Sequence, residues 1–461
     1  MSLSKPCRLL AAAATGCAVL ALEVDARASI PNCSALGATD GGAIIYGAGG
    51  SAQLPLITAV ATELAKLSPP VHIVYGNAKP FNACVGYGDL VAGTTGSGTT
   101  LPTANYFDGT GSQTVTCTLD EASGPFTFAV MGNSPDLCPP IDDSGVPGLA
   151  PGFGEFLGPV QPVDYVVPSQ SSQNSISTEA AYYIWGFDAA PNYAVATWTV
   201  PDNIFTRTTT SFVSLFVSLD TGVPVATVAV SGTSETSNTG TVSALAKLND
   251  TPTDAATGIG FVSGEVADGN RGSIKVLAYQ HTGQTCGYWP DSTPNAFDKA
   301  NIRSGQYWLW SPVHFYAAVN GGGDGGTITD PNTAWFINLF TAGVATAAAP
   351  GSDAGTATGI DVFSDEVIDA FTVPQCAMQA WRDSDLGAPY SFAPAEPCTC
   401  KFDIATNNAN KAPTCQTCAQ DSDCSTNHCR NIGAPLPVID ADGGIVPPST
   451  DAGAVGYCEA Y

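Results

Sequence analysis

Positive charge is scarce in this chain: 15 Lys and Arg stand against 41 Asp and Glu, a formal net charge of −26. A field of that sign repels nucleic acid and anionic membrane surfaces and excludes both as bulk electrostatic partners. It leaves a small anion open, because screening over about 8 Å at physiological salt lets a recessed site follow its own donors. Long apolar runs are missing too: past residue 28 no stretch of 18 or more apolar residues occurs, so no helical membrane span is expected. Hydrolase signatures are absent as well. There is no Gly-x-Ser-x-Gly elbow, Walker loop or His-Glu-x-x-His. The four histidines (His72, His281, His314, His428) are dispersed, with no zinc spacing among them. Enzymatic work, a metal and a cofactor are therefore not expected.

Charged residues of all kinds make up only 12% of the chain, with 49 Gly and 34 Pro. That balance suits a loop-rich exported protein with much β-structure. The start supports export. Lys5 and Arg8 precede an apolar run from Leu9 to Leu22 and a small-residue site at Ala26-Arg27-Ala28, which together read as a signal peptide over 1–28. Lipoprotein processing at Cys17 is the lesser alternative. Cleavage removes three positive and two negative residues, so the mature chain carries −27. Periplasmic, secreted or cell-surface placement follows.

Thirteen of the cysteines lie beyond residue 28, and export points to disulfides with one thiol left over. Six are spread thinly over 33–376 and seven crowd into 398–458. The crowded part shows little hydrophobic periodicity and predicts a stapled tail, 396–461. Cys415-x-x-Cys418 with Cys424 and Cys429 could mimic a zinc site, but export favours disulfides, and Asp440-Ala-Asp442-Gly-Gly reads as a turn. In the body, Val71–Tyr75, Phe126–Val130 and Val163–Val167 predict buried strands, and Ser177–Phe187 and Ala334–Val344 predict helices. Their alternation predicts an α/β fold. Asp142–Gly154 and Gly321–Gly326 read as exposed loops.

One segment carries a ligand-binding pattern. Ala43-Ile44-Ile45-Tyr46 predicts a strand, Gly47-Ala48-Gly49-Gly50-Ser51-Ala52 a glycine-rich turn, and Leu54, Leu56, Ile57, Val60, Leu64 and Leu67 a helix. The free N–H groups of a helix's first turn and the positive end of its dipole favour an oxyanion there. Ser51 fits a ligand donor and equally a helix N-cap.

Further blocks give that turn a context. Residues 159–187, in which strand Val163–Val167 leads to Ser177-Thr-Glu179 and on to Trp185-Gly-Phe187, resemble the mid-chain crossover of periplasmic phosphate-binding proteins of the ABC-transporter type. Trp198-Thr-Val-Pro-Asp202 leading to Arg207, and Gly258-Ile-Gly-Phe261-Val262, resemble the family's next two blocks. Val74-Tyr75, Cys84-Val-Gly86, Pro290–Thr293, Asp298–Arg303, Tyr307–His314 and Val373–Met378 are similar to its cysteine-bearing exported branch.

The resemblance implies a two-lobed, type II periplasmic-binding fold closing over a ligand. Its lobe one would comprise 29–160 and 271–395, its lobe two 161–270. It implies a phosphate-like oxyanion as ligand, an ABC permease as partner and a monomer. Carried over residue by residue, Gly50, Ser51 and Ala52 fit the first phosphate loop, while the second falls near Asn77–Gly86 without the family's serines. The Ser-Asp turn aligns with Gly132-Asn133, and Arg207 fits the clamping arginine. Ser211-Phe212-Val213 replaces Ser-Gly-Thr. Asn133 offers donors as well as an acceptor where an aspartate would select a protonated oxyanion, and Phe212 and Val213 remove a close approach and a hydroxyl. Each lost donor costs roughly 1–3 kcal/mol, so phosphate is expected to bind less tightly than in the family. The alternative is a binding fold turned cell-surface or matrix module, with the tail as its interaction unit.

Overall fold

In the computed structural model, the apolar run after residue 42 becomes the middle of a large mixed sheet. The structure describes residues 30–461 except 39, 77–81, 95–101, 110–114, 139–147, 188–189, 191, 229–231, 322–325, 342–348, 351–361, 364, 407–414, 427–428, 432–437, 440–443, 447–455 and 460–461. The expected signal peptide over 1–28, Cys17, His428, Asp440, Asp442 and most of the loop at Gly321–Gly326 lie outside the described residues.

β1 (Ala43–Gly49), α1 (Leu54–Leu64) and β2 (Val71–Gly76) form a parallel strand–helix–strand unit. Both strands bury both faces, which explains their unbroken apolar sequence. Ile45, Val71, Ile73 and Tyr75 enter one core with Leu56, Ile57, Val60, Ala61 and Leu64 of α1, while Tyr46, Ala48 and Val74 enter another. Each large apolar side chain so buried contributes roughly 1.5–3 kcal/mol. The pattern in α1 continues to Leu67, but the helix ends at Leu64 ahead of Pro69-Pro70, where a pre-proline residue resists the helical conformation.

The chain continues through α2 (Ala83–Ala92), β3 (Thr103–Tyr106), β4 (Val115–Thr118) and β5 (Phe128–Met131), the last parallel to β1. Then comes β6 (Phe153–Pro168), 16 residues long. Its start takes in Phe153 and Gly154, so the loop expected over 142–154 stops short of them. β7 (Ser175–Ser177) and α3 (Thr178–Phe187) follow, then β8 (Phe205–Arg207), α4 (Phe212–Thr221), β9 (Thr233–Glu235), α5 (Asn238–Lys247), α6 (Pro252–Thr257) and β10 (Gly260–Ser263). α7 (Gly264–Asp268), β11 (Ile274–Val276), β12 (Ala278–Gln280), α8 (Ala300–Arg303), β13 (Trp310–Asn320), β14 (Thr327–Ile328) and α9 (Pro331–Thr341) complete the body.

The sheet has ten strands in the order β10-β6-β13-β5-β1-β2-β3-β4, with β11 also beside β6 and β14 beside β13. β6 does two jobs along its length. Residues 153–162 pair antiparallel with β13, and residues 163–168 pair antiparallel with β10 and β11. Past β10 the bridge Ile204–Ile259 brings in β8, which runs parallel to β9. The fold is thus mixed α/β, with one group of elements around β1 and another around β10, and β6 running through both.

Disulfides join Cys33–Cys117, Cys84–Cys138, Cys376–Cys398, Cys400–Cys415, Cys418–Cys429 and Cys424–Cys458, leaving Cys286 as an exposed free thiol. The leftover thiol expected from the odd count is therefore Cys286. The first of the crowded cysteines, Cys398, bonds outward to Cys376, so the cysteine-rich end is tied to the body rather than stapled only to itself. Its helix α10 (Thr399–Ala405) has its first N–H groups capped by Glu459, which accepts from Cys400 and Lys401. Cys418, Cys424 and Cys429 cluster within 4.8 Å, but each is in a disulfide.

Candidate functional site

The turn between β1 and α1 is built for close packing. A Cβ on Gly49 would sit 2.2 Å from the Val130 carbonyl oxygen and 2.5 Å from the Tyr75 hydroxyl, so only glycine lets β1 end against β5. The Tyr75 hydroxyl donates to the Gly50 carbonyl at 3.0 Å and fixes where the chain turns. α1 is capped at Gln53 without a side-chain cap bond, which places Ser51 in the preceding turn and not at the N-cap. Ser51 and Ala52 lie just before a first turn whose backbone N–H groups have no helical acceptor.

Across from this turn stands Arg207, at the end of β8 and 5% exposed. Its Nε donates to the Glu235 carbonyl at 3.1 Å, Nη2 donates to the Thr236 carbonyl at 3.2 Å, and Nη1 donates to Asn238 Oδ1. Of the five N–H donors a guanidinium carries, one on each terminal nitrogen is left. Among the described residues no carboxylate lies within ion-pair distance of it. Burial pulls its pKa down to about 10, with Glu235 and Glu265 pulling the other way, and it stays charged at neutral pH.

A cavity of about 1040 Å³ opens between these two walls. Gly50, Ser51, Ala52, Arg207 and Ser211 all line it, so five of the six residues expected from the sequence come together. Four helix starts face it: Leu54 of α1, Asn82 and Ala83 of α2, Ser211 and Phe212 of α4, and Ser237 and Asn238 of α5. Asn82 caps α2 at Val85 N, Ser211 caps α4 at Ser214 N and Ser237 caps α5 at Gly240 N. Each cap satisfies one first-turn donor and leaves the others. The dipoles of the four helices add a fixed positive potential to the Arg207 charge.

Asn133 is the exception. It is fully buried, its Nδ2 donates to the Ser134 carbonyl at 2.7 Å, and it does not line the cavity. The physical reason is Phe212. Its ring lies where a Cβ on Gly132 would come within 2.6 Å, covering the Gly132-Asn133 turn. A residue with an aromatic ring at the first position of α4 therefore closes the wall that the turn would otherwise have furnished.

The site also draws on residues the sequence reading passed over. Thr208, Thr210, Thr236, Ser237, Asn238 and Thr239 line the cavity. A signal for part of this was present, since Ser237 directly before the apolar-periodic stretch Val242–Leu245 is an N-cap signature. What no local pattern could give is that α5 starts beside Arg207, 30 residues earlier. Asn238 continues the network inward: its Nδ2 donates to Ser263 Oγ at 2.6 Å, and Ser263 donates to Glu265. Burial pushes the Glu265 carboxyl up to about 8, against the lowering effect of its Ser263 and Gln161 donors.

Ser311, His314 and Glu155 line up as a nucleophile, base and acid would, with Ser311 Oγ 3.1 Å from His314 Nε2 and Nδ1 2.8 Å from Glu155. The chemistry does not follow. Ser311 is fully buried, its hydroxyl donates to Asp385 at 2.7 Å, and His314 is held as a cation between Glu155 and Asp385. Burial alone would lower its pKa, yet the two carboxylates raise it to about 9, so it cannot serve as a general base at neutral pH.

No family model matches the chain, and no curated protein does. Among solved structures it is similar to an ABC-type phosphate transport receptor from Vibrio cholerae, 14% identical over 64% of this chain and 93% of that one, with a TM-score of 0.38. PstS from Borrelia burgdorferi is 12% identical over 60% and 87%, at 0.32. The reduced OxyR regulatory domain from Pseudomonas aeruginosa is 11% identical over 64% and 98%, at 0.31. Likeness at this level spans a transport receptor and a regulatory domain, so function rests on the site itself.

Proposed function

We propose that this is an exported solute-binding protein that holds a small oxyanion, phosphate or a phosphate-like ion, in the Arg207 cavity. One observation carries the reading: a buried guanidinium with no carboxylate partner among the described residues faces a cavity on which four helix starts converge. Buried cations are costly unless paired, and a bound anion supplies the missing charge. Gly50, Ser51 and Ala52 would contact the ligand from the β1–α1 turn and Arg207 and Ser211 from the facing wall. Asn133 would act only through the turn behind Phe212.

The working step would be closure of two lobes, 29–160 with 271–395 and 161–270, hinging on β6 and its partners. Binding rather than catalysis fits a site whose lining, among the described residues, holds no carboxylate or histidine. Delivery to an ABC permease, action as a monomer and membership of the phosphate-binding family belong to the same proposal. The buried place of Asn133 favours one second reading, a binding fold that has left uptake and serves as a surface or matrix module.

Thermal unfolding of the mature protein against phosphate, sulfate, arsenate and phosphonates separates the two. A ligand at a hundredfold excess over its Kd stabilises by about 2.7 kcal/mol. Stabilisation that vanishes in Arg207→Ala supports the binding role. No shift with any of these anions at millimolar concentration removes it and leaves the surface module.

A further inference from the structure

The lining of this cavity combines hydrogen-bond donors with apolar side chains. Arg207, the helix starts and the hydroxyls of Ser51, Thr208, Thr210 and Ser237 form the polar part. Leu54, Pro55 and Val266, each partly exposed, line the cavity with the buried Phe212 and Val213. The volume of about 1040 Å³ sits at the upper end of sites for ligands of drug size, which run about 300–1,000 Å³. A bare four-oxygen ion would fill a small part of it and leave water against Leu54, Pro55 and Val266.

We infer that the cavity takes an organic ester of a tetrahedral oxyanion, a phosphomonoester with an apolar substituent, in preference to the free ion. The inference rests on the oxyanion reading above and narrows it. A monoester has three terminal oxygens in need of donors where the free ion has four. Phe212 covers the Gly132-Asn133 turn and itself lines the cavity, so the wall there presents a ring and not a donor. An ester oxygen with its carbon substituent suits that side, whereas a charged oxygen there would lose its solvation without a replacement. Among the described residues the lining has no Asp or Glu to accept the acidic hydrogen of a monoprotonated ion. A dianionic ester brings no such hydrogen.

The test is calorimetric titration of the mature protein with phenyl phosphate, inorganic phosphate and phenol at one pH and salt concentration. The expected result is a Kd for phenyl phosphate at least tenfold below that for inorganic phosphate, and no binding of phenol. In Val266→Ala and in Val266→Thr the ester should weaken at least threefold while inorganic phosphate holds its Kd. Inorganic phosphate bound as tightly as the ester, or phenol bound equally well, overturns the inference and leaves the oxyanion reading standing or modified. Binding of none of the three overturns both. An ester advantage unmoved by both variants overturns the assignment of its substituent to this wall.

Discussion

The Gln161 side-chain amide nitrogen donates to Glu265 Oε2 at 2.8 Å, and in doing so joins the two walls of the cavity through the middle strand of the fold. The same nitrogen donates to the Ala52 carbonyl at 2.7 Å, and Gln161 Oε1 accepts from Gln53 at 2.8 Å. On the other side Glu265 connects through Ser263 and Asn238 to Arg207. A continuous hydrogen-bonded chain thus runs from the glycine turn, through β6, to the buried guanidinium.

Glu265 should make the proposed anion binding depend on pH. Its carboxyl is pushed up to about 8, mainly by burial, and Asp164 adds to the rise. An anion beside Arg207 disfavours a second negative charge nearby, so the bound state prefers Glu265 protonated. Affinity for an ion that does not itself titrate, such as sulfate, should therefore rise as pH falls through about 8 and level off below it. Glu265→Gln should flatten the profile. The stability of the free protein has its own sign: between the ordinary carboxyl range and pH 8 the unfolded chain is ionised while the folded one keeps its proton, so stability falls as pH rises through that window. The melting temperature of Glu265→Gln, relative to the parent, should gain steadily from pH 5 to pH 8. A constant difference would show that Glu265 ionises normally.

His314 works in the opposite sense. Its folded pKa of about 9 exceeds the ordinary value of 6.5, so its stabilisation is fully present below about pH 6.5 and is lost as pH rises through 9. Asp385, one of its two carboxylate partners, also accepts from Ser134 N at 2.7 Å and so ties residue 385 to the Gly132-Asn133 turn. His314→Gln leaves the buried Asp385 carboxylate and the half-buried Glu155 without their cation, a loss of roughly 3 kcal/mol. Urea midpoints at pH 6 and pH 9.5 provide the check. The variant should trail far behind at pH 6 and much less at pH 9.5.

The strands and the first helix were legible because their signals are local. The apolar runs at 43–46 and 71–75 become strands that start where expected and end within three residues of the expected ends, the run at 163–167 becomes the last part of the 16-residue β6, and the helices expected from Ser177 and Ala334 form over Thr178–Phe187 and Pro331–Thr341. Gly50–Ala52 and Arg207, each singled out by its own motif, line one cavity. Asn133 stands apart from that lining because its place depends on Phe212, 79 positions away, whose ring cannot be located from periodicity. Likewise, the outward disulfide of Cys398 follows from the way the chain returns to Cys376 and from no spacing rule.

The Cys376–Cys398 disulfide, spanning 22 residues, should be the main covalent tie of the cysteine-rich end to the body. Arg303 assists it, donating to Asp403 at 2.6 Å with its guanidinium over the Phe402 ring. Replacing both cysteines by alanine should cost about 3 kcal/mol on loop-entropy grounds. Limited proteolysis should then release the segment beyond residue 398 before the body is cut. In the parent protein a thiol reagent should find one accessible group per mature chain, Cys286, without any reductant. Two or more reactive thiols would contradict the six pairings.

Gln161 itself gives the most direct test of the chain that links the walls. Gln161→Ala removes donors from both the Ala52 carbonyl and Glu265 and strands the Gln53 amide, whose Oε1 is already without a partner. Unsatisfied buried groups of this kind cost about 1–3 kcal/mol, so the variant should unfold at lower urea with an unchanged slope. Its effect on binding separates two pictures. If the chain only supports the fold, sulfate affinity at pH 6 should equal that of the parent. If it holds the Ser51–Ala52 turn in register with Arg207, affinity should drop severalfold at every pH. The dependence on Glu265 should persist in the variant, because the Ser263–Asn238–Arg207 branch is intact. A variant that binds as the parent does would confine the chain to a structural role.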